Sequence, residues 1–220
     1  MKILDLIRDS FYPRRCACCK EFILDGYFCQ DCADKILLVN EPICISCGNN
    51  VKNCQCDTYI FHFDGIVAPL VNEGITRQAF YKFKFKKDYF LLPFLTEKMS
   101  SLIRKHYCDV EFDVMTFIPK NKKEYNQCRV LAEDLSKKLN IKLDETALIK
   151  LKPNKTQHDL MLNERFDNVK GVYKSPKNLK GKTVLLLDDI KTTGATLNEC
   201  ARELKFAGAE KVYCITALIT

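Results

Sequence analysis

Long apolar runs are missing from this chain of 220 residues. No stretch comes near the roughly 20 consecutive apolar residues that a transmembrane helix needs, so we expect no membrane span. A signal peptide is missing as well, because the apolar residues of Met1–Phe11 alternate with charged ones and no small-residue cleavage site follows. That segment has the pattern of a short amphipathic helix. We therefore expect a protein of the cytoplasm.

Cysteine, in contrast, is abundant: the chain has 13, and nine of them lie within the first 60 residues. Thiols in the cytoplasm stay reduced, so such a cluster indicates bound metal and not disulfides. Most of these cysteines form Cys-x-x-Cys or Cys-x-Cys turns, and two such turns can hold one tetrahedral zinc ion. We predict two structural zinc ions, with a single ion or a reduced, metal-free region as alternatives. The predicted ligands are Cys16, Cys19, Cys29 and Cys32 for one ion and Cys44, Cys47, Cys54 and Cys56 for the other.

The remaining cysteines have a different interpretation. Cys18 is left out of the first site because the two-residue spacing pairs Cys16 with Cys19. Four more are scattered along the chain, and three of them fall in apolar periodic segments, where we expect small buried side chains. These four are Cys108, Cys128, Cys200 and Cys214.

Charge is distributed unevenly. Residues 1–60 contain seven Lys or Arg and eight acids, whereas residues 61–220 contain 28 and 20. The net charge of +7 therefore belongs to the longer part. We predict a helix and a cysteine-rich zinc-binding domain in residues 1–60 and a separate domain in residues 61–220.

The segment Val184–Leu197 carries the strongest chemical signal. An apolar run of strand length ends at Asp188 and Asp189, and a hydroxyl-rich loop then leads into a helix. The loop Thr192–Thr196 can direct backbone N–H groups and three hydroxyls at one phosphate, and Gly194 allows close approach. Two carboxylates beside that phosphate are good acceptors for a vicinal diol. The ligand that this pattern predicts is a 5-phosphorylated ribose. The alternative is a buried strand with an acidic end and a capped helix.

This segment resembles the binding motif for phosphoribosyl pyrophosphate (PRPP) in type I phosphoribosyltransferases. The resemblance implies that Asp188 and Asp189 act on the ribose in any catalysis and that Mg²⁺ accompanies PRPP. It also implies the set of residues that bind PRPP, which is Asp188, Asp189, Lys191, Thr192, Thr193, Gly194, Ala195 and Thr196.

Strands and helices alternate through the longer part, which predicts an α/β fold with a mainly parallel sheet. Strands are expected at 63–71, 113–119, 183–187 and 212–219, and helices at 74–81, 89–105 and 126–139. A further helix follows the loop Thr192–Thr196, and it carries Leu197, Cys200, Ala201 and Leu204 and ends at Gly208. Ligands of such sheets bind at the carboxyl ends of the strands. The basic loop after strand 113–119 would lie there, and we predict that Lys120, Asn121 and Lys122 bind the pyrophosphate of PRPP. A solvated basic turn is the alternative.

The order of motifs along the chain is similar to that of the ComF family, the phosphoribosyltransferase-like proteins of bacterial competence. After the cysteines come a Phe/Lys stretch at 81–87, Tyr125-Asn126-Gln127, Thr156-Gln157…Arg165…Asn168…Gly171, and the PRPP motif. One departure is Lys123-Glu124, where the family usually has Arg-Gly, so a bidentate phosphate contact is lost here. The resemblance implies a type I phosphoribosyltransferase fold with a small N-terminal zinc-ribbon domain. Segment 150–165 would be the mobile loop that closes over PRPP, or else an ordinary surface loop.

The sequence determines the function of this protein less closely than its fold. We favour a protein of DNA uptake and natural transformation that binds PRPP with Mg²⁺ and single-stranded DNA, with proteins of the uptake machinery as possible partners. The alternatives are an active phosphoribosyltransferase with an unknown acceptor and a PRPP-sensing regulator. The Phe/Lys stretch supports the DNA interpretation, because Lys82, Lys84, Lys86 and Lys87 surround two phenylalanines. The competing interpretation is a strand with Phe83 and Phe85 facing inward.

Overall fold

The computed structural model describes most of the chain, and each structural statement below concerns the residues it describes. They are 14–54, 56, 60–86, 88–121, 124–152 and 168–220. The predicted N-terminal helix, Lys122, Lys87 and most of segment 150–165 lie outside these ranges.

A parallel sheet forms the centre of the longer part. Its strands run in the order β1 (Gly65–Val67), β7 (Lys211–Ile219), β6 (Thr183–Lys191) and β3 (Val114–Phe117), and β2 (Leu70–Val71) pairs with β7 beyond the end of β1. Residues 184–187 of β6 are all buried, as expected for a central strand covered on both faces. A separate antiparallel pair joins β4 (Ile149–Lys150) to β5 (Tyr173–Lys174). The prediction of a mainly parallel α/β sheet is confirmed.

Helices cover both faces of this sheet. On one face, α2 (Gly74–Lys86), α3 (Leu92–His106) and α4 (Gln127–Leu139) pack in one core with Leu185 and Leu187. On the other face, α5 (Ala195–Phe206) packs with Val184 and Leu186. Alternate residues of β6 thus supply the two cores, because successive side chains of a strand point to opposite faces.

The helix α2 differs most from the sequence-based expectation. Instead of ending near Tyr81, it continues to Lys86, so the interpretation of the Phe/Lys stretch as a strand is wrong. Its buried residues are Thr76, Ala79, Phe80 and Phe83, which have helical spacing. Phe83 is fully buried, whereas 68% of Phe85 is exposed. A two-residue alternation had suggested a strand, but the longer helical period determines the structure.

The cysteine-rich part lies against the sheet through backbone hydrogen bonds. Ile66 N–H donates to the Ile45 carbonyl at 2.7 Å, and Val71 N–H donates to the Leu37 carbonyl at 2.9 Å. It contains one short helix, α1 (Gln30–Ala33). None of the helices in the described ranges combines the length and apolar character needed to cross a lipid bilayer.

The scattered cysteines mostly follow the prediction. Cys128, Cys200 and Cys214 are buried, and burial raises the pKa of each thiol. Cys108, just beyond the end of α3, is exposed.

Candidate functional site

The eight predicted zinc ligands form two separate groups, one per predicted ion. Within each group the sulfur atoms all lie within 4.8 Å of one another. The sulfurs of Cys19 and Cys29 are 3.6 Å apart, and those of Cys44 and Cys56 are 3.3 Å apart. Zinc–sulfur bonds of about 2.3 Å in a tetrahedron place sulfurs about 3.8 Å from one another, so both groups fit a zinc ion after a small expansion.

The pKa values of these thiols are shifted in both directions, and the shifts do not distinguish the predicted ligands from Cys18. Burial opposes ionisation of Cys16 and Cys44, but hydrogen bonds outweigh it and lower the pKa values to about 6 and about 7. Burial raises the pKa of Cys18 to about 12, which keeps this side chain a neutral thiol. The backbone carbonyl of Cys18 accepts a hydrogen bond of 2.6 Å from Lys82. Cys18 lies outside both sulfur groups, which agrees with its exclusion from the predicted ligands.

Asp188 and Asp189 lie near the carboxyl end of β6, beside residues of two helices. The Lys84 ammonium forms an ion pair of 2.7 Å with Asp189 Oδ2. Gln127 Nε2 donates to the same oxygen, and Cys128 Sγ lies 3.5 Å from Asp188 Oδ1. The Asp189 carboxylate is thereby held by one cation and one amide, and the Asp188 carboxylate accepts from the Asp189 N–H at 2.8 Å.

Asp188 and Lys84 both have shifted pKa values. Burial and the charge of Asp189 raise the pKa of Asp188 to about 7, although Lys84 opposes the shift. Burial disfavours the charged form of Lys84, but the attraction of Asp189 and Asp188 is greater and raises the pKa of this lysine. Lys84 therefore stays charged and partly neutralises the pair.

The loop that follows β6 has the backbone form suited to an anion. Gly194 has φ of 82° at the start of α5, a conformation that other residues rarely adopt. Ala195 N–H donates to Thr193 Oγ1 at 3.3 Å. Lys191, the last residue of β6, is buried, and this burial lowers the pKa of its ammonium group. Cys47 and Cys56 of the second cysteine group oppose the shift. The N-terminus of a helix of 12 residues thus stands behind the loop.

These parts meet in one open cavity of about 730 Å³ at the carboxyl edge of the sheet. Its lining includes most of the residues that the sequence proposed for PRPP, namely Lys120, Asp188, Asp189, Lys191, Thr192, Thr193, Gly194, Ala195 and Thr196. Asn121 is not among the lining residues, and its side-chain amide donates to Glu124. Lys120 Nζ donates to Gln127 Oε1 at 2.6 Å.

Sequence reasoning missed the two side chains that contact the Asp189 carboxylate, Lys84 and Gln127. Lys84 had been considered only for DNA, and Gln127 had been noted in a motif without a role. A lysine on a helix gives no sign of its partner until the tertiary structure brings Asp189 to it. Gln127 follows Asn126, whose side chain caps α4 by accepting from Cys128 N–H at 3.0 Å, and this cap was the available signal.

Comparison with known proteins gives two domain matches. A model of the phosphoribosyl transferase domain matches residues 125–218, and a model of the double zinc ribbon domain matches residues 7–59. Together they span more than half of the chain.

Two individual proteins and one solved structure are similar to this chain. The DNA utilization protein YhgH of Escherichia coli K12 is 31% identical over 93 residues, a match that covers 41% of this chain and only 41% of YhgH. Competence protein ComFC of Bacillus subtilis 168 is 25% identical over 218 residues, or 91% of this chain and 88% of ComFC. Purine phosphoribosyltransferase from Pyrococcus horikoshii is 18% identical, with 60% of this chain and 84% of that chain covered and a TM-score of 0.39.

The match to ComFC extends along nearly the whole chain, and the domain models place a double zinc ribbon before a phosphoribosyl transferase domain. The cysteine groups and the parallel sheet agree with that order. The chain is therefore similar to ComFC over most of its length and in the order of its two domain matches.

Proposed function

We propose that the cavity binds PRPP with Mg²⁺ and that the protein serves DNA uptake in natural transformation by handling single-stranded DNA in the cytoplasm. The observation that carries the proposal is the meeting of an acid pair and a hydroxyl-rich helix N-terminus in one cavity. We place the domain boundary near residue 60 as part of the same proposal.

PRPP fits this cavity part by part. The 5-phosphate would take the backbone N–H groups and hydroxyls of Thr192–Thr196, supported by the positive end of α5. The ribose hydroxyls would donate to Asp188 and Asp189. The diphosphate would extend towards Lys120, a cation on the same wall of the cavity.

Magnesium suits the same place. It prefers oxygen ligands, which the diphosphate and ribose of PRPP supply next to the carboxylates of the acid pair. Cys128, which lies with the acid pair, offers a sulfur atom, and Mg²⁺ prefers oxygen ligands to sulfur. When bound, the metal would neutralise diphosphate charge. Lys84 and Gln127 hold the Asp189 carboxylate in a fixed position beside it.

The role in DNA uptake rests on the names of the relatives and on charge. YhgH is named a DNA utilization protein and ComFC a competence protein. Residues 61–220 carry an excess of eight positive charges, which favours binding to nucleic acid. Two of the four lysines in the Phe/Lys stretch have partners inside the protein, since Lys82 contacts the first cysteine turn and Lys84 contacts Asp189.

An active phosphoribosyltransferase is the second candidate. The same acid pair could stabilise positive charge that develops on the ribose as pyrophosphate leaves, with Lys120 beside the leaving group. This candidate function does not specify the acceptor substrate. A PRPP-sensing regulator would use the binding site without that reaction.

Calorimetry tests the proposal. Wild-type protein should bind PRPP with Mg²⁺, and the double variant Asp188→Asn with Asp189→Asn should lose this binding while it stays folded. A matched control is Asp109→Asn with Glu111→Gln, two exposed acids before the amino end of β3. This control should bind as the wild type does. Equal PRPP affinity in all three proteins would refute the assignment of the cavity.

A further inference from the structure

One wall of the cavity is aromatic, and PRPP has no aromatic ring to stack on it. Tyr81 and Phe85 lie one turn apart on α2 with ring centroids 5.3 Å apart and planes inclined by 30°. Both line the cavity, and 68% of Phe85 is exposed. Exposure of a large ring beside a polar site leaves a flat apolar surface available to a ligand.

The position of this wall relative to the acid pair is fixed by Lys84. Its ammonium nitrogen lies 2.7 Å from Asp189 Oδ2 and 5.7 Å from the centroid of the Phe85 ring. A group stacked on Phe85 would therefore be a close neighbour of a ribose held by the acids. The aromatic wall and the phosphoribosyl site belong to one connected space.

Cations accompany the rings. The Arg77 guanidinium lies 5.2 Å from the centroid of Tyr81, and it also lines the cavity. Lysine and arginine beside exposed aromatic rings form the combination that proteins use for single-stranded nucleic acid: rings stack on bases, and cations follow the phosphates. A duplex cannot use such a wall, because its bases are already stacked on one another.

We propose that Tyr81 and Phe85 form a stacking platform for one unpaired nucleobase of single-stranded DNA at the mouth of the PRPP cavity, with Arg77 taking a phosphate of the same strand. This inference deepens the proposed function and rests on it. It places the single-stranded DNA next to PRPP, so that one cavity receives both the DNA and PRPP.

The test is fluorescence anisotropy with a labelled oligothymidylate of about 20 nucleotides, longer than the roughly 4–16 nucleotides that a single-strand site commonly covers. Phe85→Ala and Tyr81→Ala should each weaken binding about 5- to 100-fold, the range that loss of one base–aromatic contact produces. Phe85→Tyr keeps a ring and should retain most of the affinity. The preference for single strands over duplex should shrink in Phe85→Ala.

Phe206→Ala is the matched control. Phe206 is 73% exposed, and the Arg202 guanidinium lies 5.3 Å from its ring, but it stands at the far end of α5, away from the cavity. This variant should bind the oligonucleotide as the wild type does. Equal weakening by Phe206→Ala and Phe85→Ala would overturn the assignment of the platform.

Two further outcomes separate this inference from the proposed function. If wild type binds the oligonucleotide and PRPP, and Phe85→Ala binds both equally well, the platform is refuted and the proposed function stands. If wild type binds no single strand at low salt, the proposed DNA role itself fails. Binding of free thymine or thymidine at the rings, with no strand binding, would also overturn the assignment to DNA. Thermal melting of each variant verifies that it is folded.

Discussion

Asp188 links proton binding to stability. Its pKa is raised from 3.8 in an ordinary setting to about 7, so the folded protein retains a proton that the unfolded chain releases. The stabilising contribution of this proton is complete below pH 3.8 and is lost as the pH rises through about 7. At neutral pH and above, the folded protein therefore bears the cost of two neighbouring carboxylates, which Lys84 and the hydrogen bonds to the pair relieve in part.

The pH dependence of the Asp188→Asn variant should reveal this cost. Asparagine cannot ionise, so the free energy of unfolding of the variant should improve relative to wild type as the pH rises from about 5 to about 8. Urea unfolding of both proteins across that range measures the difference. Asp109→Asn, at an exposed site, should show no such trend. A difference between wild type and Asp188→Asn that does not change with pH would contradict the assignment.

Among the secondary-structure elements, the turn from β6 into α5 favours glycine at one position, residue 194. Gly194 and Gly181 have similar backbone angles, with φ of 82° and 70°. A Cβ atom at Gly194 would lie 3.4 Å from both Lys191 Cε and the Phe61 ring, whereas a Cβ at Gly181 would meet nothing within 4 Å.

Alanine at these two glycines should therefore separate strain from function. Each substitution should destabilise the protein by about 1 kcal/mol, because alanine disfavours a positive φ. Only Gly194→Ala should also weaken PRPP binding, since it alters the phosphate loop. Chemical denaturation and calorimetry of both variants measure the two effects. Loss of PRPP affinity in Gly181→Ala, or none in Gly194→Ala, would contradict this role of the loop.

The elements that could be predicted from sequence are those whose signals are local. The apolar run 184–187, the following acids and Gly194 identified β6 and α5 without tertiary information. The ends of β6 were harder to predict, because the strand continues through Asp188 to Lys191 by pairing with β7. The pairing of Lys84 with Asp189 was inaccessible, since it depends on how α2 packs against the sheet.

In the molecule as a whole, the cysteine-rich part with its two sulfur groups lies against the sheet. Bound zinc should hold the cysteine-rich part together. Elemental analysis should find about two zinc ions per chain, since each group offers a closed set of four ligands. Cys16→Ser and Cys44→Ser should each reduce the zinc content by one ion and make residues 14–60 sensitive to protease. Cys108→Ser, outside both groups, should change neither property. Folded, protease-resistant protein without metal would contradict the prediction.

The exposure of Cys108 has a practical consequence for observing the protein at work. Three other cysteines outside the zinc groups are buried, and the thiol of Cys18 is kept neutral by its raised pKa. With zinc occupying the eight ligands, a maleimide dye should react mainly at Cys108. That residue follows α3 and precedes the amino end of β3, whereas the cavity lies at the carboxyl edge of the sheet. A single fluorophore at Cys108 would report the binding of labelled single-stranded DNA by energy transfer, and it would leave the cavity unmodified.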